Sequence, residues 1–228
     1  MSKYTLVVFT NAVEGREDEF NDWYTNHHLQ DVVNVPGYSS AQRFVVRIPM
    51  AGANRHRYLA LYEMDVDTPQ AVAAAGEALM KADMPLSEAL DSDVGMAVFE
   101  TFSPRRTASR GETTGSFRLL ALTQPVEGRE AEYNDWYENT HLRDLTGTPG
   151  ITSAQRWKLH STPGEFPADY LAIYEMTANT AEEAGAILKR LAEGQHATSD
   201  ASRSDKSVVA IFEVCSARVT APKDKALA

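Results

Sequence analysis

The chain has 228 residues, 43% of them hydrophobic and 24% charged, a balance typical of a folded globular protein rather than a disordered one. Its formal net charge of −10 disfavours nucleic acid and anionic membrane surfaces as partners, because both attract clustered Lys and Arg. Cys215 is the only cysteine, which excludes an intrachain disulfide, and no apolar run reaches the roughly 18 residues of a membrane helix. We therefore expect a cytoplasmic protein without a membrane span.

The predicted strands and helices occur in the same order in two successive stretches of the chain. A short apolar strand (Tyr4–Thr10, then Phe117–Thr123) precedes a helix opened by Glu14 or Glu127. This helix must end before a Pro-Gly pair, since the residue before proline avoids the helical region. A second strand, a third strand, a second helix capped by threonine and a last strand follow. These later elements are predicted at residues 38–47, 57–66, 68–81 and 94–102, and again at 151–159, 169–178, 180–193 and 207–215.

The two stretches also share their residues. Val13–Phe44 aligns with Val126–Trp157 at a constant offset and without a gap, so that NDWYTNHHLQD in the first matches NDWYENTHLRD in the second. Such agreement predicts a tandem duplication. We divide the chain into an N-terminal repeat (1–103), a linker rich in Ser, Thr, Gly and Arg (104–116), a C-terminal repeat (117–216) and a tail (217–228).

The element order β-α-β-β-α-β is that of the ferredoxin-like unit, an antiparallel sheet with both helices on one face. Along the third strand, Tyr58 and Tyr62 point to one face while Leu59 and Leu61 point to the other, so neither face is polar. A sheet with an uncovered apolar face needs a partner. The sequence therefore predicts an α+β protein in which the two ferredoxin-like sheets pack face to face as an intramolecular dimeric α+β barrel.

The repeated motif DWY-x-N-x-H-L-x-D, followed by Pro-Gly and SAQR, resembles the EthD-like branch of the dimeric α/β-barrel superfamily. That superfamily contains cofactor-free monooxygenases, lactone isomerases, polyketide cyclases, haem-dependent enzymes and proteins of unknown role. The resemblance implies a pocket between helices and sheet in each half, where a His with nearby Tyr or acidic groups transfers protons. Many relatives are short chains that dimerise, whereas here the halves are fused and are free to diverge.

A helical wheel of the first helix places Phe20, Trp23, Tyr24 and Asp31 on the inward face, with His28 at its edge. His28 and Asp31 are neighbours on such a helix. In one interpretation His28 is a general acid/base that Asp31 orients or makes more basic. In the other, the carboxylate accepts backbone hydrogen bonds near Pro-Gly and the imidazole braces the helix end. His141 and Asp144 repeat the pair, which makes these four the candidate catalytic residues.

Substrate-binding candidates are the aromatic, His and Arg side chains expected near this face, and each has a structural alternative. The tyrosines are also typical of a core, and His27, inside the predicted apolar face, is equally explained as a core residue. Arg43 with Glu63 and Glu100, like Arg156 with Glu175 and Glu213, also suits an ion network across the sheet. His56 and His160 are expected to be exposed near turns. The candidates are Trp23, Tyr24, His27, Arg43, Tyr58, Tyr62, Trp136, Tyr137, Arg156, Tyr170 and Tyr174.

No residue spacing indicates a metal site, a phosphate-binding loop or a serine nucleophile, so we expect neither metal nor cofactor. The sequence favours a cofactor-independent enzyme that acts by His-mediated proton transfer, of isomerase, lyase, dehydratase or monooxygenase type. Its expected partner is a small apolar or aromatic carbonyl compound, and a homodimer of the fused barrel is one option for assembly. The alternative is a non-catalytic small-molecule-binding, haem-binding or stress-associated protein.

Overall fold

The computed structural model describes residues 3–52, 55–194 and 196–222, and both halves have the predicted element order. A π-helical turn, which the sequence did not indicate, interrupts the first helix of each half. The first half comprises β1 (Tyr4–Thr10), α1 (Glu17–Trp23), a π-helical turn (Tyr24–His28), α2 (Leu29–Val33), β2 (Tyr38–Ala51), β3 (Tyr58–Met64), α3 (Pro69–Lys81) and β4 (Gly95–Thr101). The predicted linker contains β5 (Arg106–Thr107) and the predicted tail contains β10 (Val219–Thr220). The second half comprises β6 (Phe117–Thr123), α4 (Glu130–Trp136), a π-helical turn (Tyr137–His141), α5 (Leu142–Gly147), β7 (Ile151–Ser161), β8 (Tyr170–Met176), α6 (Ala181–Glu193), a 3₁₀ turn (Ser204–Lys206) and β9 (Val208–Val214).

Local sequence explains where the helices begin. Helix α1 starts at Glu17 rather than at the predicted Glu14, because Gly15 adopts a φ of 78° and turns the chain before the helix. The predicted threonine caps are confirmed: the Oγ1 of Thr68 accepts from the Ala71 amide at 3.2 Å, and Thr180 forms a reciprocal capping box with Glu183.

The strands form one closed antiparallel barrel, in the order β2-β3-β1-β4-β7-β8-β6-β9, with β9 pairing back onto β2. The two halves join along both edges: β4 pairs with β7 through Glu100 and Lys158, and β2 pairs with β9 through Val45 and Glu213. The predicted α+β barrel is therefore confirmed. Edge pairing closes it and leaves no long unpaired strand edge among the described strands.

Two short strands in the predicted linker and tail cross from one half to the other. Strand β5 follows the first half and pairs with β7 of the second, with Arg106 opposite Ala154. Strand β10 follows the second half and pairs with β2 of the first, with Val219 opposite Ala41. The last part of the predicted tail, 223–228, lies outside the described residues.

The core has three parts. In each half, helices cover the outer face of the sheet through an apolar cluster that contains Phe20 and Tyr62 in the first half and Tyr133 and Tyr174 in the second. A third cluster, including Leu59, fills part of the barrel interior. Within the described residues, no helix is both long and apolar enough to cross a membrane.

Candidate functional site

The π-helical turn determines which histidine faces the core. In the first half the amide of Leu29 donates to the carbonyl of Tyr24, five residues earlier, instead of four. One extra residue in the turn rotates everything after it by about 100° relative to a regular α-helix. His28 therefore turns towards the core and His27 becomes exposed, so the predicted inward position of His27 is wrong. Asp31, predicted at the centre of the inward face, is only partly buried.

The inward histidines stack on tryptophan in both halves. The ring centroids of His28 and Trp23 are 4.5 Å apart with the planes 25° from parallel, and those of His141 and Trp136 are 4.7 Å apart at 32°. The Nδ1 atom of each imidazole is buried, and no described residue forms a hydrogen bond with it. A buried nitrogen without a partner is costly, which makes these two atoms candidates for contact with a ligand.

Both imidazoles are neutral at pH 7. Burial lowers the pKa of His28 to about 4, opposed by Asp31 and assisted by Arg43. Burial likewise lowers the pKa of His141 to about 4, assisted by His196 and Arg156 and opposed by Asp144. The neighbouring carboxylate raises the pKa of each imidazole, as expected, but desolvation outweighs this effect and the net shift is downwards.

A cavity of about 400 Å³, here named the second-half pocket, lies between the sheet and the helices of the second half. Its lining is almost entirely apolar and contains four of the predicted site residues together with two further residues of α6 and the loop after it. These six are Trp136, Tyr137, His141, Tyr174, Leu188 and His196. The family resemblance implied a pocket between helices and sheet in each half, and this cavity lies at that location in the second half. Asp144, Arg156 and Tyr170 do not line it.

Larger side chains occupy the equivalent space of the first half. Strand pairing places Met96 opposite Val8, as it places Val209 opposite Ala121. Isolated bridges likewise make Leu90 the counterpart of Ser202. Met96 and Leu90 pack against the first-half core. The halves therefore differ in the size of the side chains at these two positions behind the same Trp–His pair.

The two predicted arginines lie under the first helices and do not form an ion network across the sheet. Arg43 is 1% exposed and donates to Thr25 Oγ1 at 2.7 Å and Asn21 Oδ1 at 2.9 Å. Arg156 is fully buried and donates to Glu138 Oε1 at 2.7 Å and Asn134 Oδ1 at 2.9 Å. Each guanidinium also lies over tyrosine rings, including Tyr24 at 4.3 Å and Tyr137 at 4.0 Å. The predicted pairing with Glu63, Glu100, Glu175 and Glu213 is wrong, since those side chains bind Arg218, Lys3, Arg105 and Arg47.

The predicted tyrosines are mostly part of the core. Tyr62 donates to the hydroxyl of Tyr24, and Tyr174 to that of Tyr137, both at 3.1 Å. Tyr58 binds Glu17 and Asn21, and Tyr170 repeats this with Glu130 and Asn134. Of these hydroxyl-bearing residues, only Tyr137 and Tyr174 line the second-half pocket.

Sequence reasoning missed a charged rim at one mouth of the barrel, formed by Glu63, Glu175, Arg105, Arg118 and Arg218. Arg105 comes from the predicted linker and binds Glu175, while Arg218 comes from the predicted tail and binds Glu63 at 2.5 Å. A signal was present: SPRRT (103–107) and SARVT (216–220) match at the same offset as the repeats. Neither segment has an apolar periodicity, which is why the sequence predicted a linker and a tail. The two segments nevertheless have Ser, Arg and Thr at the same three positions.

At the opposite mouth, His56 is 9% exposed, so its predicted exposure is wrong. Its Nε2 lies 3.5 Å from Asp93, and its ring packs beside Phe9. His56 lines a second cavity of about 310 Å³ with Phe166 and other apolar residues.

The side chains that could act as ligands favour neither a metal ion nor a haem. Among the described residues, no three His, Cys, Asp or Glu side chains are grouped so as to hold a metal ion. In the second-half pocket, the described lining contains neither Lys nor Arg to pair with haem propionates, and the His141 ring is already stacked on Trp136. The residues present in this pocket do not fit a haem.

No protein-family model and no curated protein matches the chain. Among solved structures, it is similar to an anthrone oxidase-like protein at 13% identity, covering 100% of this chain and 99% of the other with a TM-score of 0.61. A putative monooxygenase from Fusobacterium nucleatum has 8% identity, 93% coverage of both chains and a TM-score of 0.53. A chlorite dismutase variant from Candidatus Nitrospira defluvii has 11% identity, 93% and 92% coverage and a TM-score of 0.52. Such identities establish the fold alone, and this fold is a dimeric α+β barrel.

Proposed function

We propose that the protein is a small-molecule enzyme whose second-half pocket binds an uncharged apolar or aromatic carbonyl compound, from which His141 removes a proton. The observation that carries this proposal is the neutral imidazole of His141, with its Nδ1 buried and without a partner, in the wall of an apolar cavity of about 400 Å³. A pocket of this kind with few polar groups is a typical site for a small organic substrate.

The lining supports an uncharged substrate. The described lining residues include neither Asp, Glu, Lys nor Arg, so a charged compound would lose its hydration without gaining a partner. Trp136, Leu188 and Leu145 provide apolar surface for a flat ring system. The paired hydroxyls of Tyr137 and Tyr174 provide a group that donates to a carbonyl oxygen.

The low basicity of His141 limits the chemistry to acidic protons. A neutral imidazole with a pKa of about 4 is protonated at pH 7 only if the substrate anion stays beside it as an ion pair. An activated C–H between aromatic rings and a carbonyl, or a phenolic O–H, meets this condition because the resulting anion is delocalised. Asp144, which raises the pKa of His141, stabilises the imidazolium.

The step after proton removal is isomerisation, elimination or reaction with oxygen. Reaction with oxygen draws support from the fold shared with an anthrone oxidase-like protein and a putative monooxygenase, whose names concern oxidation. EthD-like ancestry, tandem duplication and a cytoplasmic location belong to the same proposal.

Proton removal is tested with anthrone as the probe. Exchange of its acidic methylene protons in D₂O, followed by NMR without oxygen, reports this step before any later one. We expect the wild type to accelerate exchange and His141→Gln to lose at least about 100-fold of that acceleration, in the range of general base catalysis.

His28→Gln is the matched control, because it removes the equivalent stacked imidazole from the half in which Met96 and Leu90 occupy the space. It should retain the acceleration. Equal acceleration by wild type and His141→Gln would reject His141 as the base. Binding of anthrone without accelerated exchange would favour a non-catalytic binding protein.

A further inference from the structure

The barrel interior has a cavity separate from the second-half pocket. A cavity of about 190 Å³ opens at the charged rim and runs into the barrel between strands of both halves. A cavity of about 150 Å³ with apolar walls is large enough to bind benzene. The barrel cavity therefore has room for one aromatic ring and a short polar group.

The polarity of the wall changes with depth. Every second residue of a strand points into the barrel, so the inward side chains of each strand form a series from the rim to the interior. Carboxylates and hydroxyls occur at the rim, amides come next on two strands, and large apolar side chains lie deepest. On β3 and β8 the series are Glu63–Leu61–Leu59 and Glu175–Ile173–Leu171, and on β2 and β7 they are Ser40–Gln42–Phe44 and Ser153–Gln155–Trp157.

The rim has one more positive than negative charge, although the whole chain has a net charge of −10. Arg218 binds Glu63 and Arg105 binds Glu175, so Arg118 shares Glu175 with Arg105. The Arg118 side chain is 16% exposed and donates through Nη1 to the carbonyls of Gly115 and Phe117. Its nearest carboxylate oxygen among the described ion pairs, on Glu175, is 3.8 Å from Nε.

Arg118 also breaks the symmetry between the halves. The residue at the equivalent place on β1 is Thr5, which lines the same cavity. A largely buried guanidinium that shares the carboxylate of Glu175 with Arg105 favours a further anion within reach. The remaining wall favours an apolar group attached to that anion.

We infer that the barrel cavity binds a small apolar monocarboxylate, with its ring or chain among Leu61, Ile173 and Trp157 and its carboxylate beside Arg118. The ligand differs in charge from the substrate proposed for the second-half pocket. The two sites are on opposite faces of the sheet, so occupancy of one leaves the other open.

Calorimetric titration with trans-cinnamate tests the site, and cinnamamide serves as an uncharged probe of the same shape. We expect Arg118→Thr, which introduces the residue of the first half, to weaken cinnamate binding at least tenfold while changing cinnamamide binding less than twofold. Arg129→Ala removes an arginine that binds Glu132 and Asp200 outside the cavity, and should leave both probes unaffected.

Two further variants distinguish binding in the barrel cavity from binding in the second-half pocket. Leu61→Phe fills the cavity and should weaken both probes, whereas His141→Ala should weaken neither. Thermal unfolding of each variant shows whether it is folded, and if Leu61→Phe is not, Ile173→Phe replaces it. Cinnamate binding that is equal in wild type and Arg118→Thr, that is lost in His141→Ala, or that is absent from wild type up to about 1 mM would overturn the inference.

Discussion

His141 stacks on Trp136 although five positions separate them, with ring centroids 4.7 Å apart. In a regular α-helix, side chains five residues apart diverge by about 140°, so they do not meet. The π-helical turn Tyr137–His141 reduces this divergence to about 40°. The same turn recurs in the first half at Tyr24–His28, where His28 stacks on Trp23. A π-helical turn in a helix frequently marks a functional site, and here it brings the imidazole to the pocket wall.

The depressed histidine pKa values predict that stability falls in mildly acidic solution. In the unfolded chain His28 and His141 bind protons below about pH 6.5, whereas in the folded protein they remain neutral down to about pH 4. Between these values the unfolded state binds more protons, so the free energy of unfolding decreases as the pH falls. The slope is at most about 1.4 kcal/mol per pH unit for each imidazole. Urea unfolding between pH 4 and 7 measures it.

The double variant His28→Gln/His141→Gln separates this effect from carboxylate protonation, because it removes only the two imidazoles. Its stability should change less with pH over the same window. NMR titration of the imidazole carbons gives the pKa values directly. Titration of both residues near 6.5 in the folded protein would contradict the prediction.

The buried arginines predict that one substitution stabilises the first half. Arg156 has a carboxylate partner, Glu138, at 2.7 Å, whereas Arg43 has the hydroxyl of Thr25 at the same distance. Thr25 and Glu138 are equivalent in the repeat. Thr25→Glu should therefore increase the free energy of unfolding by about 1 kcal/mol, because it supplies the missing opposite charge at a partly exposed position.

Glu138→Thr is the reciprocal variant and should destabilise by about 1–3 kcal/mol, since a buried guanidinium loses its carboxylate. The midpoints of urea unfolding of the two variants and the wild type measure both changes in stability. A decrease in stability with Thr25→Glu would show that the first-half arginine has no room for the larger partner.

The sequence predicted the barrel because the relevant patterns are local or repeated. Period-2 runs such as Tyr58–Met64, threonine caps and Pro-Gly turns each indicate their own element, and two apolar sheet faces require closure. The orientation of His27 and His28 could not be predicted, because a helical wheel assumes 100° per residue and a π-helical turn has no clear sequence signature. The rim was missed for another reason: Arg105 and Arg218 meet Glu175 and Glu63 only through long-range pairing of β5 and β10.

The smaller side chains at two positions of the second half predict that the second-half pocket can be filled by substitution. Ser202→Leu with Val209→Met introduces side chains of the type found at Leu90 and Met96 in the first half. The added apolar surface should raise the melting temperature or leave it unchanged, because the side chains enter existing space. Acceleration of proton exchange should be lost, since the probe no longer reaches His141. Deuterium exchange of anthrone and thermal unfolding measure the two effects.

Leu90→Ser with Met96→Val is the matched control and opens the first half. It should lower stability by a few kcal/mol through lost apolar burial. Exchange activity retained by the filled second-half variant would locate the site elsewhere.

The crossing strand β10 predicts that the end of the second half stabilises the first half. The amide of Ala221 donates to Ser39 at 2.8 Å, Ser216 Oγ accepts from the Arg43 amide at 2.9 Å, and Val219 packs against the first-half core. A chain ending at Cys215 loses these contacts and exposes the edge of β2. We expect its free energy of unfolding to fall by about 2–4 kcal/mol, from lost hydrogen bonds and apolar burial together. Amides of β2 near Ala41 should lose protection from hydrogen exchange.

Arg218→Ala is the control: it removes a half-exposed ion pair with Glu63 and keeps the strand, so it should cost no more than about 1 kcal/mol. If the arginine substitution alone reproduced the loss caused by truncation, the ion pair rather than the strand pairing would hold the two halves together at this edge.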